Sequence, residues 1–427
     1  MKKISLWSIL AVFIAVFTLA SCSKDADDYT SEEGKYSLSE ASPFTIENTY
    51  LNNSSSTGVL VLQEGNMTTE DGFLNYLDNS NPATYYTIVG GSRLGSVAQD
   101  LYIHDGEIYI ICQNIAGGDP PAEPGRLFVL NADDFTTAGI YGNDFSTSIS
   151  NPTHIAVYDE NTIYIRASGS DFVGGSSNYG VYKYNPYSGQ VTALNGNGEQ
   201  ANPTRATPMT ISNGYLFVCH SDGVRVYNAS TGIFNTLIEY GSGTYSLVKS
   251  TDGNFVYIYR NGTIYEISTV NGILDIPAST DPRGTLSATI SSWSNSAQIS
   301  YYENYLFYAN AGGAVYSFDI STGQNKSLGS ITTGASTAII GSVMYNGVAV
   351  DPGTGYLYGA TTTYGNTYTD VNALNVFDVK NGAFTRTATI AGDERFTAGV
   401  FFPQNFNATV GTAKFDYVEE VPKYGSR

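Results

Sequence analysis

The stretch Gly180-Val-Tyr-Lys-Tyr-Asn-Pro-Tyr-Ser-Gly-Gln-Val191 reads as a β-hairpin, and the chain repeats it. Val181, Lys183 and Asn185 alternate with Tyr182 and Tyr184, which is the period of a half-buried strand. Asn-Pro-Tyr-Ser-Gly supplies turn chemistry, and a second strand begins at Gln190. The hairpin returns as Val224-Arg-Val-Tyr-Asn-Ala-Ser-Thr-Gly232, as Ala314-Val-Tyr-Ser-Phe-Asp-Ile-Ser-Thr-Gly323 and as Leu374-Asn-Val-Phe-Asp-Val-Lys-Asn-Gly382, with a fainter copy at residues 126–133. Short aromatic-aliphatic strands mark each unit at residues 59–61, 108–110, 163–165, 216–218, 256–258, 306–308 and 357–359. Seven units recurring every 40 to 55 residues, each with room for four strands, predict an all-β, seven-bladed β-propeller with four-stranded blades.

The ends of the repeat support that count. The first unit opens at its second strand, and the last blade finishes near Ile390. One strand, Phe396-Thr-Ala-Gly-Val-Phe-Phe402, is left over and fits the vacant inner place of the first blade. The ring is therefore expected to be closed by a C-terminal strand in the first blade, which removes free sheet edges. Although 427 residues exceed one ordinary core, a repeat array packs each unit on its neighbours and stays a single domain. With 45 Gly, 34 Tyr and 14% charged residues, the composition suits short strands and turns. The expected organisation is a signal segment at 1–21, a polar tether at 22–56, the propeller at 57–403 and a tail at 404–427.

The first residues carry an address rather than fold. Lys2 and Lys3 precede the apolar run 9–17, too short and too near the start for a spanning helix. Leu19-Ala-Ser-Cys22 resembles a bacterial lipobox, which makes Cys22 the lipidated residue after cleavage. Ser23-Lys-Asp-Ala-Asp-Asp28 is similar to the acidic tag that sends lipoproteins of Bacteroidota to the outer face of the outer membrane. The expected location is the outer membrane, lipid-anchored and facing the cell exterior, with membrane contact through the anchor only. A formal charge of −19 repels phosphate backbones and argues against nucleic acid. Cys112 and Cys219 sit in apolar strand patterns and read as buried thiols.

In a propeller, ligands usually meet the loops from second to third strand and from fourth strand to the next blade. Here those loops are long at 64–72, 113–125, 167–179 and 360–373, and at 142–153, 195–207 and 279–297, whereas the opposite turns are short. Arg93, Arg166 and Arg205 offer charge-assisted donors. Asn66 and Asn114 both donate and accept. Tyr179, Tyr364, Tyr368 and Trp293 offer flat amphipathic surfaces. Gln99 and His154 fall at the start of innermost strands and should line the channel mouth, with His220 near the same rim. His104 belongs to the opposite end.

Catalytic signatures are scarce. No G-x-S-x-G, H-E-x-x-H, P-loop or calcium-loop pattern occurs, so a binding protein without cofactor or metal is favoured over an enzyme. A lyase or hydrolase using His154 or His220 with a loop carboxylate is the rival. Val61-Leu-Gln-Glu-Gly-Asn66, Gly72-Phe-Leu-Asn-Tyr76, Arg93-Leu-Gly95 and Ala98-Gln-Asp-Leu101 resemble the start of the YncE-like surface propeller lipoproteins of Bacteroidota. That group includes cobalamin-capturing lipoproteins that cap a TonB-dependent transporter. The resemblance implies capture of a bulky nutrient, cobalamin first, and its transfer to a TonB-dependent outer-membrane transporter. A siderophore, heme or glycan would use the same scaffold.

Overall fold

The computed structural model describes residues 58–64, 72–78, 85–89, 94, 97–112, 127–132, 135–141, 149, 152–168, 179–194, 209–220, 222–241, 243, 245–290, 299–310, 312–331, 342–362, 372–393 and 397–406. They form seven antiparallel four-stranded sheets. Strands β1 (Gly58–Gln63), β2 (Phe73–Asp78) and β3 (Tyr85–Val89) form the first blade together with β28 (Thr397–Phe401), which takes the innermost place. Leu60 pairs with Phe401 and Val61 with Val400, so the closure expected from the leftover strand is the one observed.

The other innermost strands are β4 (Ala98–His104), β8 (Pro152–Asp159), β12 (Thr210–Ser212), β16 (Tyr245–Lys249), β20 (Ser300–Tyr302) and β24 (Ser342–Val350). Each packs on the next: β4 on β8, β8 on β12, and so on to β24 on β28 and β28 on β4. That unbroken succession is a closed ring of seven blades. The marker segments all occupy second strands: β1, β5 (Glu107–Cys112), β9 (Thr162–Ser168), β13 (Tyr215–His220), β17 (Phe255–Arg260), β21 (Tyr305–Ala309) and β25 (Tyr356–Thr362).

The repeated hairpin owes its shape to a side chain. Asn185 Oδ1 accepts the N–H groups of Tyr187 and Ser188, both at 3.0 Å, and Asn228 Oδ1 accepts those of Ser230 and Thr231 at 3.1 and 3.0 Å. Asp319 does the same for Ser321 and Thr322 at 2.9 and 3.2 Å. The carboxylate or amide thus closes the turn that the backbone must make. Gly189, Gly232 and Gly323 come next with φ of +67°, +75° and +70°, a region that side chains enter only with strain.

The cores lie between blades. Phe217, Val224 and Val226 of the fourth blade pack on Tyr245, Leu247, Val256 and Ile258 of the fifth. Val59, Val61 and Leu77 of the first blade meet Tyr358, Leu374, Val376 and Phe402. Tyrosine suits these seams because its ring fills the apolar gap while its hydroxyl reaches a backbone oxygen of the next blade. Tyr164 donates to the Ala229 carbonyl at 2.7 Å and Tyr215 to that of Gly272 at 2.9 Å.

The fifth blade departs from the expected pattern. The sequence places a loop over 279–297, yet β19 (Gly284–Thr285), the outermost strand beside β18 (Thr263–Ser268), lies inside it. Pro277 and Pro282 lack the N–H that a continuous strand would use, so β18 is first met by a single bridge, Ser268 to Asp275, and only later by β19. An ion pair between Arg283 and Glu266 spans the interval. The last blade also runs past Ile390, because β27 (Thr385–Asp393) carries two register shifts that use extra residues.

Candidate ligand-binding site

Every blade presents the same two ends. At one end lie the turns between first and second strands, such as Asp105-Gly106 and Asn213-Gly214, whose four residues all have positive φ. At the other lie the longer connections. Those from second to third strand span 9, 14 and 10 residues in blades one to three and 9 in blade seven, but 2, 2 and 4 in blades four, five and six. Blades seven, one, two and three are consecutive around the ring, so the long second-to-third connections occupy one arc, while long connections from one blade to the next stand on the other, 16 residues from blade three to four and 14 from blade five to six.

Beneath the long arc, polar side chains connect neighbouring blades. Glu64 lies just past β1 in blade one. Its backbone oxygen accepts Ala98 N at 2.9 Å, and its Oε1 accepts Gln99 Nε2 at 2.8 Å, both from blade two. Asp100 of blade two continues the chain into blade three. Asp100 Oδ2 lies 3.1 Å from His154 Nδ1 and accepts Ile155 N at 3.1 Å, while Oδ1 accepts Leu101 N at 2.9 Å. A carboxylate accepts, so Nδ1 of His154 is the donor, and in the tautomer this bond selects the ring's other nitrogen, Nε2, is the one that carries a lone pair. The side chains of His154 and Asp100 are each 10% exposed. At the same end of blade one, Gln63 Oε1 and Asn75 Nδ2 are buried without partners among the described residues.

Bulges set these side chains. The pairing of β4 with β5 skips Gln99, that of β8 with β9 skips Thr153, and that of β28 with β1 skips Ala398. The three skips fall at the start of the innermost strand in blades one, two and three, where a bulge re-aims the neighbouring side chains.

The remaining candidates divide by burial. Arg166, in β9, is fully buried, and loss of water pulls its guanidinium down to about 10, still protonated at neutral pH. It sits near Cys219, whose thiol burial pushes up so strongly that it stays protonated. His220 ends β13 as expected but is 3% exposed and faces inward. Its Nδ1 lies 3.2 Å from Arg225 Nη1, whose Nη2 meets Asp222 Oδ2 at 3.0 Å. Arginine can only donate, so Nδ1 accepts and the ring proton stands on Nε2. His154 and His220 therefore hold their protons on different nitrogens. Arg166 and His220, both read from sequence as rim groups, are interior in this structure, on second strands whose consecutive residues are buried on both faces. Tyr179 opens β10 (Tyr179–Asn185), and only its backbone is described. Asn66, Arg93, Asn114, Arg205, Trp293, Tyr364, Tyr368 and Cys22 lie outside the described residues. Asp100, one of the carboxylates with Asp171 and Glu64 that could pair as acid and base, is the one the structure sets beside His154, whereas the pairing of Arg225 with Asp222 has no motif to mark it.

One charged residue at the turn end stands apart. Lys249 ends β16, half-buried, and desolvation pulls its ammonium down to about 8. An unfolded lysine titrates near 10.4, so between these values the unfolded chain binds a proton that the folded chain has released. Stability should therefore rise with pH across that window, and the cost of the buried charge is felt in full below it. Lys249→Met is expected to be more stable than the parent at pH 7, with the gap narrowing by about pH 9.5, well into that window. Urea midpoints at the two pH values measure it, and an equal gap at both would refute the assignment.

Residues 57–404 match the family described as a domain of unknown function, DUF5074. The chain belongs to the DUF5074 family. The match covers the whole described ring, so the seven-bladed propeller and the bulged arc are features of a DUF5074 domain. No curated protein matches the chain. Among solved structures, the DUF5074 propeller is similar to a hypothetical selenium-binding protein from Sulfolobus tokodaii, at 10% identity and TM-score 0.54, over 84% of this chain and 97% of that one. It also matches the computationally designed Ika8 protein at 14% identity and TM-score 0.47, over 81% of this chain and 96% of that one. These likenesses concern the fold.

Proposed function

We propose that this DUF5074 propeller captures a bulky nutrient at its loop end and passes it to a TonB-dependent outer-membrane transporter. Cobalamin is the first candidate, ahead of a siderophore, heme or a glycan. The observation that supports capture is the coincidence on one arc of long connections, bulged strand starts and bridged polar groups from Glu64 to His154. A rim of long loops buries a large ligand better than a small sugar. The preference for cobalamin rests on the resemblance of residues 61–66, 72–76, 93–95 and 98–101 to the surface propeller lipoproteins of Bacteroidota. Anchoring through Cys22 and exposure to the medium complete the reading, and protease shaving of intact cells checks them. No helix among the described residues is long and apolar enough to cross a membrane.

Purified protein titrated with cobalamin, heme, siderophores and oligosaccharides, followed by calorimetry or Trp293 fluorescence, is expected to respond to cobalamin. Tight binding of an oligosaccharide with no response to cobalamin would discard the ligand and keep the scaffold. The Asp100–His154 pair favours one rival, a lyase or hydrolase in which the oriented imidazole is the general base. Saturable turnover of glycans or esters that is lost in His154→Ala would establish it in place of capture.

A further inference from the structure

We propose that Gln63 and Asn75 of the first blade form a binding subsite for an uncharged group that both donates and accepts a hydrogen bond, as a carboxamide or a hydroxyl does. The inference rests on the capture reading. It adds the flank of blade one that faces blade seven, opposite the flank on which Glu64 reaches Gln99.

The pairing of β1 with β2 sets the geometry. Gln63 ends β1 opposite Phe73, and Asn75 lies opposite Val61, so the two amides are diagonal neighbours on one face of the blade, within reach of each other. Val59, Val61 and Leu77 share that face and pack on blade seven. Both amides stand at the loop end, where the connection of 9 residues leaves β1. Two other blades place polar side chains at the same two positions, and there they meet. In blade four His220 Nδ1 lies 3.2 Å from Arg225 Nη1, and in blade seven Asn375 Nδ2 donates to Thr361 Oγ1 at 3.3 Å. In blade one the pair stays open. Gln63 is 1% and Asn75 2% exposed, yet Gln63 Oε1 and Asn75 Nδ2 have no partner among the described residues. Buried amides are bonded with few exceptions, and an unpaired one weakens the fold that carries it. An open acceptor beside an open donor therefore points to a group that arrives from outside, donating to Gln63 and accepting from Asn75. The side chains that share the seam are apolar, so a charged group would enter it unpaired, and the group is neutral.

The test separates cost from use. Gln63→Met and Asn75→Leu should each raise the urea midpoint of the free protein, because each removes an unsatisfied polar atom from an apolar seam. The same variants should lose about 10-fold or more in affinity for a neutral probe that wild-type protein binds. The probes are cyanocobalamin, fringed with carboxamides, and maltoheptaose, fringed with hydroxyls; the one whose binding suffers tells a carboxamide from a hydroxyl. A lowered midpoint in both variants would mean that ordered water already pairs the amides in the free protein, and would overturn the inference. Wild-type affinity in both variants would overturn it too and leave capture standing. If wild-type protein binds neither probe, the subsite falls, whatever a siderophore or heme then shows for capture.

Discussion

A chain ending at Arg395 is expected to lose cooperative unfolding and to associate. The truncation removes β28 and with it the inner strand of the first blade, leaving β1 with a row of unpaired backbone groups. It also removes Phe402, 1% exposed, from the core between blades seven and one. Losing a buried phenylalanine alone costs about 3–5 kcal/mol. Domains are stable by about 5–15 kcal/mol in total, so the phenylalanine and the strand together remove most of the margin. Full-length Phe402→Ala separates the two contributions and should remain folded but weaker by about 3–5 kcal/mol. Urea unfolding followed by circular dichroism, with light scattering for association, reads both. A truncated chain that unfolds in one sharp step at the parent's midpoint would show that the ring does not depend on its closing strand.

Asp100→Ala is expected to destabilise the free protein by about 2–4 kcal/mol, since each buried donor left without an acceptor costs about 1–3 kcal/mol and neighbouring losses do not add. The donors stranded are the N–H groups of Ile155 and Leu101 and Nδ1 of His154. Asp100→Asn keeps one oxygen and the same volume, so its loss should be about half as large. A deficit in Asp100→Ala below about 0.5 kcal/mol, the range of surface changes, would mean that blades two and three are not joined through this carboxylate.

The architecture was legible because each cue is local. The turn residues Asn185, Asn228 and Asp319 act on N–H groups two and three positions away, and the alternation in each second strand is visible within six residues. The leftover strand at 396–402 emerged from counting. The site was legible in part. Gln99 and His154 stand at the expected strand starts. Their partners were not deducible, because Asp100 meets His154 across 54 residues and only after bulges at Gln99 and Thr153 shift the alternation. A bulge has no fixed sequence signature, so counting by twos past it assigns the wrong face. A different effect hid the interior placement of Arg166 and His220: loop proximity suggested exposure, while second strands are buried on both faces up to their ends.

The closing strand orders the assembly of the ring in time. Blades two to seven each draw their four strands from one continuous stretch, whereas the first blade joins β1, at the start of the ring, to β28, at its end. During synthesis β1 emerges first and its inner edge waits for the last strand, so the first blade is completed after the other six.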